Sequence, residues 1–214
     1  AWGAGATHVR EGDLATFQPN TFWGWCRHGR FGRQHLCAAM GAFGVRLNGG
    51  FAGAMAVSAG EVYRLPPGAG PRLGCLTEPL ACSIHGMDRL AVRSGSTVLV
   101  LGAGLVGLML TRLARLAGAG WIAVSEPDAE RRADAVAFGA DATANPRASV
   151  GAVKKAVSSA ITSSAQAIIV DGSASPTVRV APSISNVPEK RLQPPEPNRA
   201  PSSAKWTVTG DPST

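Results

Sequence analysis

The stretch that most constrains what this chain can fold into runs from Thr97 to Gly107, TVLVLGAGLVG. Thr97 to Leu101 are β-branched or leucine with no polar alternation, which suits a strand buried on both faces of a parallel sheet. Gly102, Gly104 and Gly107 then spell G-x-G-x-x-G, and Leu105 to Leu116 continues as an apolar helix with Arg112 and Arg115 along one side. A second apolar run, Trp121 to Val124, ends close to the acidic Glu126. Strand, glycine turn, helix, strand and terminal acid together meet the context that a dinucleotide-binding turn requires. Gly102 permits the tight turn, Gly104 lets the backbone approach a pyrophosphate, and Gly107 lets helix and strand pack closely. The free N–H groups at the helix start, at Leu105 and Val106, are left to hold the anion. A glycine turn without a ligand would need none of this surrounding pattern. A membrane span is the other alternative, because no charge falls between Arg93 and Arg112, but its Gly, Ser and Thr content and short apolar core argue against it.

Composition narrows the field further. The chain of 214 residues carries a formal charge of +7 and is 45% hydrophobic, enough for a core. Its basic residues are scattered apart from Arg27, Arg30 and Arg33, and the few aromatics are not interleaved with them, so a nucleic-acid partner is the weaker reading. Cys26, Cys37, Cys75 and Cys82 make no disulfide-dense pattern and no signal peptide opens the chain, which points to the cytoplasm. The first residue is Ala rather than Met, which suggests a break rather than a true start.

Residues 1 to 78 read as short strands and turns, with Gly-punctuated apolar runs such as Gly53 to Val57 and Glu61 to Leu65. From Glu78 the text EPLACSIHGMDRLAV is apolar at helical spacing, with Pro79 acceptable in a first turn. After Glu126 the pattern predicts a charged helix over Asp128 to Phe138, a short strand over Ala142 to Ala144, a helix over Val150 to Ile161 and a buried strand over Ala165 to Val170. Alternating strands and helices imply an α/β fold with a doubly wound parallel sheet.

The order of motifs resembles the zinc-containing medium-chain alcohol and polyol dehydrogenases. The resemblance covers about Gly3 to Val180 and is carried by VREGD (9 to 13), the HLC of His35 to Cys37, GGFAGAMAV (49 to 57), VYRLP (62 to 66), EPLACSIHG (78 to 86), the glycine fingerprint and ERRADAVAFGAD (130 to 141). It implies part of a GroES-like β domain over 1–78, part of a Rossmann domain over 79–181, and zinc-assisted oxidation of an alcohol or polyol with NAD(P). The EPL segment resembles the sorbitol and threonine dehydrogenase branch. Arg131 matches a basic family position beside the adenosine ribose, and Glu126 favours NAD over NADP because it would repel a 2′-phosphate. The resemblance also implies a homodimer or homotetramer; the residue pattern itself points to no membrane and no nucleic-acid partner.

The family's metal sites match only in part. Zinc there acts as a Lewis acid on the bound alcohol, and its Cys and His-Glu ligands would lie upstream of Ala1. Glu78 matches the family's acidic residue near that metal; read without the resemblance, it is an acid in the first turn of a helix, where its charge suits the dipole. The structural-zinc pattern C-x2-C-x2-C-x7-C lands on Trp23, Cys26, Gly29 and Cys37, so Cys26 and Cys37 are the two ligands that remain. The expectation is a metal-free lobe filled partly by Trp23 and Trp25; the alternative is a Cys2His2 set completed by His28 and His35. Cys75 and Cys82 are expected to be buried small apolar residues, His85 a core histidine and His8 a surface one.

From Pro182 the chain is dense in Pro and Ser without an apolar period, and residues 182–214 are expected to be disordered. Two functions from different classes stand at this point. One is a truncated form of a zinc-dependent dehydrogenase; the other is a non-catalytic remnant that keeps a dinucleotide-binding half.

Overall fold

The computed structural model describes residues 6–148, 167–171 and 178–181. The chain divides into two units, Ala1–Glu78 and Pro79–Thr214.

In the first unit β1 (Ala15–Phe17), β2 (Asn20–Thr21), α1 (Arg27–Arg30), β3 (Gly41–Ala42), β4 (Val62–Arg64) and α2 (Pro71–Gly74) follow in order. β1 pairs antiparallel with β4, and β2 with β3, giving two separate two-stranded sheets. The Phe17 and Phe43 rings meet edge to face at 5.8 Å, a favoured aromatic geometry that links the β1 and β3 regions. The apolar run Glu61 to Leu65 supplies β4. Gly53 to Val57 forms no strand. It lies between two-residue and three-residue strands with no partner edge to complete a ladder, and its apolar side chains alone do not supply one.

The second unit is built on the predicted strand–turn–helix. After α3 (Thr77–Leu90), the elements β5 (Thr97–Leu101), α4 (Leu105–Leu116), β6 (Trp121–Ser125), α5 (Ala129–Ala137), β7 (Ala142–Ala144), β8 (Ala167–Asp171) and β9 (Val178–Ala181) follow. The sheet order is β7-β6-β5-β8-β9. β5 runs parallel to both neighbours, with Val100 opposite Val124 on β6 and Val170 on β8. Its unalternating sequence follows from that position, since Val98 and Val100 on one face of the strand and Leu99 on the other are all buried. The last strand departs from an all-parallel sheet, because β9 is antiparallel to β8. Only six residues separate Asp171 from Val178, too few for the crossover that a parallel return requires. The predicted helix over 150–161 and the predicted disordered tail over 182–214 lie outside the described residues.

The core is one cluster centred on Val98, Val100, Leu110, Ala114, Ile122, Val124 and Ala135. Each fully buried Leu, Ile or Val removes about 1.5–3 kcal/mol worth of apolar surface from water. α4 turns Leu110, Thr111 and Ala114 inward, and the Thr111 hydroxyl donates to the Gly107 carbonyl at 2.8 Å, so its polar atom is satisfied within the helix. Asp128 caps α5 by accepting from the Arg131 N–H at 3.0 Å. Arg115 on α4 donates to the carbonyls of Gly139 and Ala119 and pairs with Asp141, fastening the end of α5 and the start of β7 to the helix.

Candidate functional site

The three glycines of the fingerprint meet three different local demands. Gly102 sits at φ +93°, a left-handed conformation that L side chains rarely adopt, and its N–H donates to the Ser125 carbonyl at 2.8 Å. A Cβ on Gly107 would overlap the Gly102 carbonyl oxygen, so the helix can approach the turn only without a side chain there. Gly104 differs from both, because its φ is an ordinary −73° and a Cβ there would meet nothing within 4 Å. Neither strain nor packing explains a glycine at Gly104; open space in front of the backbone does, which is the property needed for close approach of a ligand.

Gly104 is also the N-cap of α4, and no side chain caps the helix. The first-turn amides of Leu105 and Val106 therefore face outward as donors at the positive end of the helix dipole, the arrangement that holds a phosphate. Leu105 is 51% exposed although it stands beside the core, consistent with a helix start left open rather than packed.

Glu126 lies just past the end of β6 and is 5% exposed. One carboxylate oxygen accepts from the Ala103 N–H at 2.8 Å and the other from the Asp128 N–H at 2.9 Å. The single side chain thus ties the glycine turn after β5 to the cap of α5. A carboxylate offers about four lone-pair sites, so two remain for hydroxyl donors. Sequence reasoning identified Glu126 but not this brace, which joins residues 23 positions apart.

Two arginines follow on α5. Arg132 donates to the carbonyls of Glu126 and Pro127 at 2.9 and 2.7 Å, so its cation is engaged in holding the turn beneath the carboxylate. Arg131 lends only its backbone N–H to the cap and leaves an exposed guanidinium. Of the pair, Arg131 is the one at liberty to meet a ligand.

The remaining predicted residues fall elsewhere. Glu78 is exposed in the first turn of α3, where its charge suits the helix dipole. Cys26 and Cys37 do come together, with their sulfurs 3.7 Å apart. Cys26 caps α1 by accepting from the Gly29 N–H at 3.3 Å. The Cys37 thiol is held below its ordinary pKa, chiefly by the backbone N–H of Trp23 and also by Ala39, Cys26 and Gly24, against the opposing effect of burial.

A structural zinc site needs four donors. Among the described residues no group of three or more His, Cys, Asp or Glu gathers to hold a metal. Cys26 and Cys37 alone do not fit a closed zinc site, and His28 and His35 do not complete one. Trp23 and Trp25 do not fill the lobe either, being 63% and 69% exposed. Cys75, Cys82 and His85 are exposed rather than buried. They occupy α3 and the turn before it, where Ser83, Met87 and Leu90 take the buried positions instead. His8 is at the surface as expected, its Nε2 3.1 Å from the Val62 carbonyl.

Comparison with known proteins places this geometry. No protein-family model matches the chain. L-threonine 3-dehydrogenase of Francisella philomiragia is 32% identical over 145 residues, which are 68% of this chain and 41% of that enzyme. A Sinorhizobium meliloti structure described as a zinc-binding dehydrogenase bound to NADP superposes with a TM-score of 0.64 at 38% identity, covering 66% of this chain and 42% of the other. Galactitol-1-phosphate dehydrogenase of Escherichia coli gives a TM-score of 0.68 at 26% identity, covering 74% and 46%. The chain therefore spans less than half the length of the relatives it matches. Their shared architecture is a GroES-like β domain with a Rossmann domain, and the α/β sheet with a β-rich unit before it is the corresponding part here. Among the described residues no helix is long and apolar enough to cross a membrane.

Proposed function

We propose that this chain, a homologue of the zinc-dependent alcohol and polyol dehydrogenases, binds NAD at the start of α4 and contributes that site to oxidation of a secondary alcohol or polyol. The observation that carries the reading is the buried Glu126 carboxylate, fixed by two backbone amides directly beside the open backbone of Gly104. When bound, the nicotinamide supplies the hydride acceptor; the residues of this chain act on the rest of the nucleotide. The amides of Leu105 and Val106 and the helix dipole hold the pyrophosphate, and the missing side chain at Gly104 lets it come close. Glu126 uses its two remaining acceptor sites on the ribose hydroxyls and repels a 2′-phosphate. Arg131 opposes that preference from the rim, and Arg132, engaged with two carbonyls, does not. We place the chain in the cytoplasm, a reducing compartment in which the neighbouring thiols of Cys26 and Cys37 can persist unbonded.

Fluorescence titration with NADH and NADPH tests the assignment. NADH is expected to bind more tightly, and Gly104→Val to lose binding with unchanged circular dichroism, because a Cβ at this position meets no protein atom within 4 Å. Tighter NADPH binding would overturn the choice of cofactor, and equal affinity in parent and Gly104→Val would make the turn purely structural.

One observation favours a second reading, a nucleotide-binding chain without turnover of its own. Glu78, Cys26 and Cys37 are not joined by further metal-capable groups among the described residues. The 214-residue chain is then expected to form no NADH from any alcohol; zinc-dependent NADH production abolished by Glu78→Ala would favour the dehydrogenase reading for the chain by itself.

A further inference from the structure

The lobe between β2 and β3 keeps two thiols where the residues for a closed metal site are lacking, and those thiols are neither scattered nor bonded. Their sulfurs stand 3.7 Å apart, in contact yet well beyond the roughly 2.05 Å of a disulfide. We propose that Cys26 and Cys37 form a reversible dithiol–disulfide site whose co-substrate is a low-molecular-weight disulfide such as glutathione disulfide.

Three features of the lobe suit that chemistry. Closing the bond needs a movement of under about 2 Å, which a short segment with few buried side chains can supply. The two sulfurs differ in access, Cys26 being partly exposed and Cys37 buried, so an incoming disulfide meets Cys26 first and leaves Cys37 to resolve the product. The backbone N–H of Gly29 points at Cys26, while those of Trp23, Gly24 and Ala39 face Cys37, so both sulfurs have fixed donors in the reduced form. Cys75 and Cys82, the exposed cysteines, lie elsewhere in the chain.

The exchange balances in two steps. Cys26 gives up its proton and attacks one sulfur of glutathione disulfide. A Cys26–glutathione bond forms, the glutathione S–S bond breaks, and the departing glutathione thiolate takes the proton. Deprotonated Cys37 then attacks the Cys26 sulfur, forming the Cys26–Cys37 bond and expelling the second glutathione as a thiolate that is protonated from solvent. The protein dithiol is oxidised by two electrons and glutathione disulfide is reduced to two thiols. Excess glutathione runs the same steps backwards.

The full chain, purified reduced and equilibrated in glutathione redox buffers, decides the matter by alkylation and peptide mapping with mass spectrometry. A peptide linked through Cys26 and Cys37 is expected, with both thiols lost together and restored by reductant. Cys37→Ser is expected to stop at the Cys26–glutathione adduct, and Cys26→Ser to leave Cys37 largely unreacted. The same titration in denaturant is expected to lower the yield of the internal disulfide relative to mixed adducts by about tenfold or more, because the folded lobe no longer holds the sulfurs together. Absence of the linked peptide at every buffer ratio, an internal yield unchanged in denaturant, or protein isolated with one zinc that shields both thiols from oxidation would each overturn the proposal.

Discussion

The two units of this chain solve the burial problem in opposite ways. In the second, twelve residues between Met87 and Ala140 form one continuous apolar cluster around a parallel sheet. In the first, the only buried hydrophobic residues among those described are Ala6 and Cys37, and large side chains such as Phe51, Phe31 and Trp25 stand in solvent. Two-stranded ribbons without a covered face are marginal by themselves, so order in the first unit rests on turns, caps and local pairs. A nucleotide site needs atoms held to within fractions of an ångström, and the site proposed for it lies on the unit with the core. The lobe lacks that rigidity and keeps what tolerates movement, a pair of neighbouring thiols.

The contrast can be broken most severely at Leu99, which is 1% exposed in the central strand. Leu99→Ala is expected to destabilise the second unit by about 2–5 kcal/mol in chemical denaturation, with hydrogen exchange in the first unit unchanged. Equal loss of protection in both units would show that they fold as one. Glu126→Gln comes next. An amide presents one acceptor and one donor group to two N–H donors, leaving one of them unpaired, at a cost of about 1–3 kcal/mol, and the NADH-over-NADPH preference should narrow in the same variant. Removal of the exposed half of the comparison should do least. Phe51→Ser, at a residue with no burial at all, is expected to change the unfolding free energy by less than about 0.5 kcal/mol. A larger shift would mean that Phe51 is covered in solution.

What could be read from the sequence divides along the same line. β5 and α4 match the predicted ranges Thr97–Leu101 and Leu105–Leu116 because a doubly buried strand leaves an unbroken apolar run, and a one-sided helix a helical period, in the text. Gly53–Val57 has an equally apolar composition and forms no strand, since strand formation there depends on a partner edge and not on composition. Cys75, Cys82 and His85 went to the surface because residue type alone carries no information about which helix face packs. At the site, the glycines and Glu126 were legible as types at a spacing. The role of Arg132 was not, because its carbonyl partners exist only once the β6–α5 turn has formed. The meeting of Cys26 and Cys37 was legible only as two survivors of a four-cysteine pattern; the distance between them belongs to the folded lobe.

The Glu126 brace has a consequence for how such a chain can change over generations. The carboxylate proposed to choose between cofactors is the same one that fastens the glycine turn to the next helix. Replacing it to admit a phosphorylated ribose therefore loosens the turn in the same step, and a lineage drifting toward the other cofactor must first acquire a substitute fastening for the Ala103 and Asp128 amides. Under that assignment cofactor choice is protected by folding stability, and its reversal calls for at least two substitutions in the right order.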